Sequence, residues 1–176
     1  MKTFKTVLLI IIVLIIIVLL VALFLPAEYN VARSIGINKP VEVVFAQVSG
    51  FQNRGEWDPW LKQEPTAEVT YSDPDSGVGA TYAWEGEKIG AGKMKIEEIV
   101  ANKSVKSTLE FLEPQPMKAL VSWQLEPTDS GTRAIWTISG KLNYPVGRFM
   151  GLFMDSMIGA DFEEGLANLK KFIEAR

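Results

Sequence analysis

Residues 7–25 form an unbroken apolar run, VLLIIIVLIIIVLLVALFL, of nineteen residues. A helix that buries one face in a soluble core shows polar positions on its other face, and this run has none. At a rise of about 1.5 Å per residue, a helix of this length spans about 28 Å, close to the hydrocarbon thickness of a bilayer. The pattern therefore predicts a transmembrane helix from Val7 to Leu25.

A cleaved signal peptide is the alternative interpretation of this run. The apolar region of a signal peptide normally spans about 7–15 residues and ends at a site with small residues. Here the run is longer, and the candidate exit Leu25-Pro26-Ala27 has leucine where a small residue is preferred. We therefore favour an uncleaved anchor over residues 1–26.

The charges beside the run predict its orientation. Lys2, Lys5 and the α-amino group precede the run, whereas Glu28 follows it and the next basic residue is Arg33. Positive flanks favour the cytoplasmic side. We expect a single-pass protein with a cytoplasmic N-terminus and with residues 27–176 outside the cytoplasm, in the periplasm of a Gram-negative cell.

After Pro26 the spacing of apolar positions changes. Alternation over residues 29–37 predicts a first strand, and apolar positions 41, 44, 45 and 48 predict a helix that begins near Pro40 and ends at Gly50. The next stretch, GEWDPWLKQEP (55–65), contains two prolines and is predicted to be a short helix plus loop.

From residue 66 onward, apolar and polar residues alternate with the period of a strand. The links between the alternating segments, such as SDPDSG (72–77) and EPTDSG (126–131), are rich in turn residues, so neighbouring strands should be antiparallel. One parity is apolar and the other polar, which indicates a sheet with one buried face. The parity slips between Ile96 and Ile99, which indicates a bulge. Strands are predicted near 66–72, 78–86, 91–101, 103–113, 117–127 and 131–140.

The last segment has helical periodicity. Apolar residues from Pro145 to Ala175 recur at spacings of three and four, which predicts a long C-terminal helix that covers the apolar face of the sheet. Four glycines interrupt this segment. We expect them to allow close contact with the sheet or a bend, and a break near Gly159 stays open.

This order of elements resembles the helix-grip fold of the START-like (SRPBCC) superfamily, which includes Bet v 1-type proteins, polyketide cyclase/dehydrases and Hsp90-activator-like domains. The resemblance covers about residues 29–175 and is strongest to the polyketide-cyclase-like branch. The stretches that carry it are INKPVEVVFAQVSGFQNRGEWDPWLK, GVGATYAWEG followed by IGAGKMKIEEI, and GTRAIWTISG before a helix that ends GLANLKKFIEA.

The resemblance implies an α+β domain over residues 27–176, preceded by one transmembrane helix. A curved antiparallel sheet of about seven strands would wrap around the C-terminal helix and enclose a cavity for an apolar or amphipathic ligand. In the resembling family the Trp-x-x-Trp segment borders the mouth of this cavity.

Large apolar residues that share the buried parity are the candidates for the cavity wall. Methionine adapts well to varied apolar ligands. The same side chains could instead fill a solid core. The two tryptophans of residues 55–65, the connector between the first helix and the run of strands, could fill the gap between the short helix and the sheet, and each would bury on the order of 200 Å². The candidates are Trp57 and Trp60 in the connector, Tyr82, Trp84, Phe111, Trp123 and Trp136 on the sheet, and Met150, Phe153, Met154 and Met157 on the C-terminal helix.

The composition offers little for catalysis. The chain has no histidine and no cysteine, so the commonest general base and the commonest metal ligands are missing. Asp161 and Glu164 are one helical turn apart, but with Glu163 beside them they are typical of a solvated face. We predict no catalytic residue, no metal site and no cofactor. Arg54, Tyr82 and Tyr144 could act in a pocket, but their spacing does not select them.

The net charge argues against one class of binding partner. Without Lys2 and Lys5, the chain has 16 basic residues against 21 acidic ones, a net charge of −5. This argues against nucleic acid. The sequence therefore predicts a membrane-anchored, non-catalytic domain that binds a hydrophobic small molecule or lipid. The alternatives are a cyclase/dehydratase-type enzyme and a protein-interaction module similar to Hsp90-activator-like domains.

Overall fold

The computed structural model of the protein describes residues 2–114 and 116–176. Seven antiparallel strands form one sheet in the order β1-β7-β6-β5-β4-β3-β2, so the first strand closes the far edge beside the last. The strands are β1 (Glu28–Ile37), β2 (Glu68–Tyr71), β3 (Thr81–Gly86), β4 (Gly90–Val100), β5 (Ser104–Glu113), β6 (Met117–Thr128) and β7 (Gly131–Lys141). The helices are α1 (Lys2–Phe24), α2 (Val41–Val48), α3 (Pro59–Gln63), α4 (Val146–Gly151) and α5 (Met154–Glu174).

The predicted fold class is confirmed: the protein is α+β, with a curved seven-stranded antiparallel sheet and a long C-terminal helix. Alternate residues of β5, β6 and β7 are buried, as expected for a sheet with one wet face. The register between β4 and β5 shifts between Ile96 and Glu98, where the parity of apolar residues slips in the sequence. A bulge of this kind bends the strand and increases the local twist of the sheet.

The helix α5 covers the concave face of the sheet with a stripe of buried residues. The predicted single C-terminal helix is two helices in the structure. The break lies at Leu152 and Phe153, whose amides donate to carbonyls three residues back, and the helix continues through Gly159. The buried stripe of α5 includes Phe162, Leu166, Leu169 and Ile173.

The first helix stands apart from this core. Of the residues that the structure describes, one helical segment, Thr3–Phe24, is long and apolar enough to cross a membrane, as a membrane anchor or a signal sequence would be. Almost all of its side chains are exposed, Ala22 excepted, and the apolar core contains no residue from it. Its last turns contact the segment around α4, where the Tyr144 hydroxyl donates to the Leu19 carbonyl at 2.9 Å.

Candidate functional site

A cavity of about 330 Å³ lies between the concave face of the sheet and α5. The connector helix α3 and the turn between β3 and β4 complete its wall. Most lining side chains are apolar, and a few polar ones are set among them. The lining residues are Arg54, Asp58, Trp60, Gln63, Tyr82, Trp84, Lys88, Ile89, Met94, Leu109, Phe111, Val121, Trp136, Ile138, Met157, Ile158, Asp161 and Phe162.

A stack of aromatic rings forms one side of the cavity. Trp123 and Trp136 are paired across β6 and β7, and their rings stack with centroids 4.8 Å apart. Phe162 of α5 stacks on the other face of Trp136 at 4.0 Å. Trp60 meets Trp136 edge-on at 5.9 Å. Stacked and edge-on pairs of this kind add to the energy of apolar burial and so stabilise this wall.

Six of the eleven side chains proposed for the cavity wall from the sequence are found there. They come from α3, from three strands of the sheet (β3, β5 and β7) and from the start of α5. They are Trp60, Tyr82, Trp84, Phe111, Trp136 and Met157.

The other five are not among the residues that line this cavity. Trp57 and Trp123 are buried one layer behind, with Trp57 edge-on against Trp123 at 5.7 Å. Met154 is buried but does not line the cavity. Met150 and Phe153 are exposed, and they lie on either side of the break between α4 and α5.

The connector also places a charged pair in the wall. Arg54 Nε lies 2.5 Å from Asp58 Oδ2, and the two side chains are only 7% and 2% exposed. The Arg54 guanidinium carbon lies 5.4 Å from the ring centroids of Trp57 and Tyr82. An arginine at this distance is attracted to the ring faces, and the aromatic groups therefore help to hold the buried cation.

Asp58 has a second structural task. Its other oxygen, Oδ1, accepts hydrogen bonds from the amides of Trp60 at 2.9 Å and Leu61 at 3.3 Å, and so caps α3. Pro59 occupies the first helical position, which suits a residue without an amide hydrogen. An aspartate before a proline is typical of a turn, which is the role that the sequence predicts for Asp58. The pairing with Arg54 across four residues was not predicted.

Tyr82 lies beside this pair. Burial raises the pKa of its hydroxyl above the usual range, and the nearby Arg54 offsets only part of that effect. The phenol therefore stays protonated at neutral pH, and it can donate a hydrogen bond to a group in the cavity.

Asp161 joins α5 to the connector at the cavity wall. Its Oδ2 accepts a hydrogen bond from the Trp60 indole nitrogen at 3.1 Å, and its Oδ1 accepts one from the Gln63 side-chain amide at 3.5 Å. The expectation of a solvated helix face fits Glu164, which is exposed, but not Asp161, which lines the cavity. The partner of Asp161 is about a hundred residues away, so local spacing could not reveal it.

Glu64 holds the turn that closes the cavity beside Lys88 and Ile89. Its carboxylate accepts the backbone amides of Glu87, Lys88 and Ile89 at 2.9, 2.9 and 3.0 Å. These hydrogen bonds, that from Ile89 most of all, lower the pKa of Glu64 below its usual range. Sequence reasoning missed this residue, because its partners lie more than twenty positions further along the chain.

Chemical groups for catalysis are sparse at the cavity. Its polar and charged lining residues are Arg54, Asp58, Gln63, Tyr82, Lys88 and Asp161, and Arg54 and Asp58 are engaged with each other. Among residues 2–114 and 116–176, no group of three or more acidic side chains is placed to hold a metal ion. The arrangement is suited to binding an apolar molecule with one polar end.

The sheet wrapped around α5 and the enclosed cavity define a helix-grip protein. A family model described as polyketide cyclase / dehydrase and lipid transport matches residues 29–174, and the chain belongs to this family. A search of curated proteins finds no match.

Solved structures share the fold at low sequence identity. Protein CV1439 from Chromobacterium violaceum is 15% identical with a TM-score of 0.60, over 85% of this chain and 99% of that one. The di-domain ARO/CYC StfQ from the steffimycin biosynthetic pathway is 10% identical with a TM-score of 0.64, over 85% and 52%. The Aha1 dimer from Colwellia psychrerythraea is 19% identical with a TM-score of 0.55, over 80% and 96%.

Proposed function

We propose that the protein is a membrane-anchored domain that binds a hydrophobic small molecule or lipid, without catalysis, in the cavity between the sheet and α5. The observation that supports this most is the cavity itself, about 330 Å³ of mainly apolar wall in a domain that could have packed solid. This volume lies at the lower end of the range for small-molecule sites. The family description, which includes lipid transport, supports the same proposal.

The polar residues of the wall indicate a ligand with one polar end. Arg54 carries five N–H donors, and Asp58 engages its Nε side. The Tyr82 hydroxyl next to it is protonated at neutral pH. Because Asp58 already balances the positive charge, we propose an amphiphile whose polar end accepts hydrogen bonds, such as a carboxyl or carbonyl group.

We propose further that α1 remains attached as the anchor, with the N-terminus in the cytoplasm. Lys2 and Lys5 lie on the side that positive charge favours. A tethered binding site meets membrane-borne ligands at a high local concentration, which offsets the modest size of its cavity.

The test uses residues 27–176, because the apolar core contains no residue of α1 and this part should fold alone. Native mass spectrometry and lipid extraction would identify a copurified ligand, and binding of a fluorescent fatty acid would be followed by energy transfer from tryptophan. Replacing Leu109, which lines the cavity, by tryptophan should fill the space and weaken binding at least tenfold. Leu120→Trp, on the exposed sheet face, is the matched control.

Two results would contradict the proposal. One is a domain that is always empty and transfers no energy to any apolar probe. The other is equal binding by the wild type and Leu109→Trp, which would place the bound molecule elsewhere.

A cyclase/dehydratase-type activity is the second candidate. It is favoured by the Tyr82 hydroxyl and the Arg54 guanidinium, which together could polarise a carbonyl in the cavity. Turnover of a polyketide-like substrate that Tyr82→Phe abolishes, with binding retained, would support it over simple binding. The interaction-module alternative predicts a solid core together with an exposed apolar patch, and the cavity counts against the solid core.

A further inference from the structure

Apolar side chains crowd the exposed surface at the start of the C-terminal segment. Their exposed fractions run from 48% to 68%. Soluble domains seldom leave such groups together without a partner. This surface, the α4 patch, consists of Val146, Met150, Leu152, Phe153 and Met157.

The contacts of α1 fix the level of the α4 patch relative to the membrane. The Tyr144 hydroxyl reaches the Leu19 carbonyl at 2.9 Å, and Arg148 Nη1 reaches the Ala22 and Leu23 carbonyls at 3.0 and 3.2 Å. Leu19 precedes the end of the apolar run by six residues, so its carbonyl lies about 9 Å inside that end.

The depth of Leu19 in the bilayer also sets the depth of the residues beside Tyr144. The apolar run is about as long as the hydrocarbon layer is thick. When α1 spans the bilayer, the whole run therefore lies inside this layer. The segment that touches Leu19 and Ala22 then lies within the outer boundary of the hydrocarbon layer. Tyrosine and arginine are the side chains that sit at such a boundary, with an apolar body below and a polar tip in the head groups.

We propose that the α4 patch is embedded in the outer leaflet of the same bilayer that α1 crosses, so that the domain rests on the membrane at a fixed face. This inference rests on the proposed anchoring of α1. The occupant of the patch is lipid rather than a protein, because the surface next to the patch is the anchor helix itself, at a depth where acyl chains surround it.

The same surface leads to the cavity. Phe153 and Met157 are four residues apart, with the Met157 amide donating to the Phe153 carbonyl at 3.0 Å, so their side chains share one helix face. Met157 is exposed on one side and lines the cavity on the other. An apolar path therefore runs from the leaflet along α5 into the cavity, and a ligand can enter from lipid without crossing water.

The absence of cysteine allows a test in the full-length chain. Single variants Phe153→Cys and Leu152→Cys, labelled with an environment-sensitive fluorophore, are reconstituted in phosphatidylcholine vesicles. Leu120→Cys, equally exposed but on the sheet, is the matched control, and Leu14→Cys in the middle of α1 reports the anchor. All four positions are exposed, so the label should not disturb folding, which the near-ultraviolet circular dichroism would verify.

We expect the labels at positions 152 and 153 to be quenched at least twofold by lipids brominated near the head group and to be shielded from aqueous iodide. The label at position 120 should be quenched by aqueous iodide and not by the brominated lipids. The label at position 14 should be quenched best by lipids brominated deep in the chain. Because the contact is apolar, raising the salt concentration should leave these values unchanged.

Each other outcome contradicts a specific part of the inference. A quenched position 14 with positions 152 and 153 open to iodide would overturn the embedding and leave the anchor intact. A label at position 14 that brominated lipid does not quench would overturn both the embedding of the α4 patch and the anchoring of α1. Positions 152 and 153 shielded from iodide but not quenched by brominated lipid, with disulfide formation between chains, would show that a second copy covers the patch.

Discussion

Arg54 and Asp58 place two charges where the protein is otherwise apolar. Removing charges from water is costly, and a buried pair is retained only when geometry and further hydrogen bonds compensate. Here the compensation is visible: the guanidinium lies between aromatic rings, and the carboxylate also caps α3. The pair is therefore sensitive to the loss of either partner.

Asp58→Ala should destabilise residues 27–176 strongly. It leaves a buried cation unpaired, at about 3–5 kcal/mol, and removes a helix cap worth about 1 kcal/mol. Urea denaturation followed by circular dichroism measures the free energy of unfolding. The double variant Arg54→Met/Asp58→Ala should regain a large part of the loss, and Asp129→Ala, in an exposed turn, should cost little. An equal loss in the single and double variants would contradict the role of the pair.

Glu64 makes stability depend on pH. Hydrogen bonds from three backbone amides lower its pKa in the folded state, so its contribution is present above the unfolded pKa of about 4.5 and is lost as the pH falls through the lower folded value. Glu64→Gln should therefore lower the melting temperature at pH 7, by on the order of 5 °C. The difference from the wild type should shrink below pH 4, and a difference that is constant with pH would contradict the assignment.

At the scale of elements, the connector between α2 and β2 carries two tryptophans with different tasks. Trp57 is 1% exposed and packs edge-on against Trp123 and Trp136, whereas Trp60 faces the cavity and is tied to Asp161. The connector is thus both a plug and part of a wall, at positions three residues apart.

Trp57→Ala and Trp60→Ala should separate these tasks. Trp57→Ala removes a fully buried indole and should cost about 3–5 kcal/mol of unfolding free energy. Trp60→Ala should cost less and should weaken binding of an apolar probe severalfold, because it opens the wall. Urea denaturation and the energy-transfer titration measure the two effects on each variant. If the larger loss of affinity accompanied Trp57→Ala, the assignment would be reversed.

The packing of α5 on the sheet depends on two glycines. A Cβ at Gly165 would lie 2.8 Å from Trp136 Cζ3 and 3.0 Å from Pro59 Cδ, and Gly159 leaves the space that the Arg33 guanidinium occupies between Asp155 and Glu163. The glycines allow close approach of α5, one of the two roles that the sequence suggests for them.

Gly165→Ala should destabilise the domain by about 1–3 kcal/mol, because the added methyl group forces α5 away from Trp136 or displaces the ring. Higher helix propensity, worth about 1 kcal/mol, offsets part of this cost. Gly55→Ala is the control, since its Cβ would meet nothing within 4 Å. Thermal unfolding compares the variants, and a stabilised Gly165→Ala would show that the contact has room.

The periodicity of the sequence predicts the elements better than the contacts between them. Alternation predicts the strands and even the slip near Glu98, because burial of one sheet face acts on every second residue. The bond between Trp60 and Asp161 joins positions 101 apart, and Glu64 reaches amides 23 to 25 residues away. These long-range hydrogen bonds leave no trace in the local periodicity, so the polar part of the site could not be predicted, nor could the break between α4 and α5.

At the scale of the whole molecule, the chain joins one apolar helix to a domain of net charge −5. We expect the anchor to keep its N-terminus in the cytoplasm. In a bacterial host, alkaline phosphatase fused after Arg176 should be active and green fluorescent protein at the same position dark. Replacing Lys2 and Lys5 by glutamate should lower the phosphatase activity severalfold. A bright fluorescent fusion of the unaltered chain would reverse the orientation.

The five tryptophans of the chain all lie in or directly behind the wall of one cavity, and Trp123 and Trp136 are nearly parallel with their rings in contact. Transition dipoles this close share their excitation, so the circular dichroism spectrum should carry a paired band of opposite signs that is weaker in Trp123→Phe. Excitation absorbed by any one indole can also migrate to Trp136. A molecule that enters the cavity and touches Trp136 should therefore alter the emission of the whole set, which gives the domain an optical signal for occupancy without any added dye.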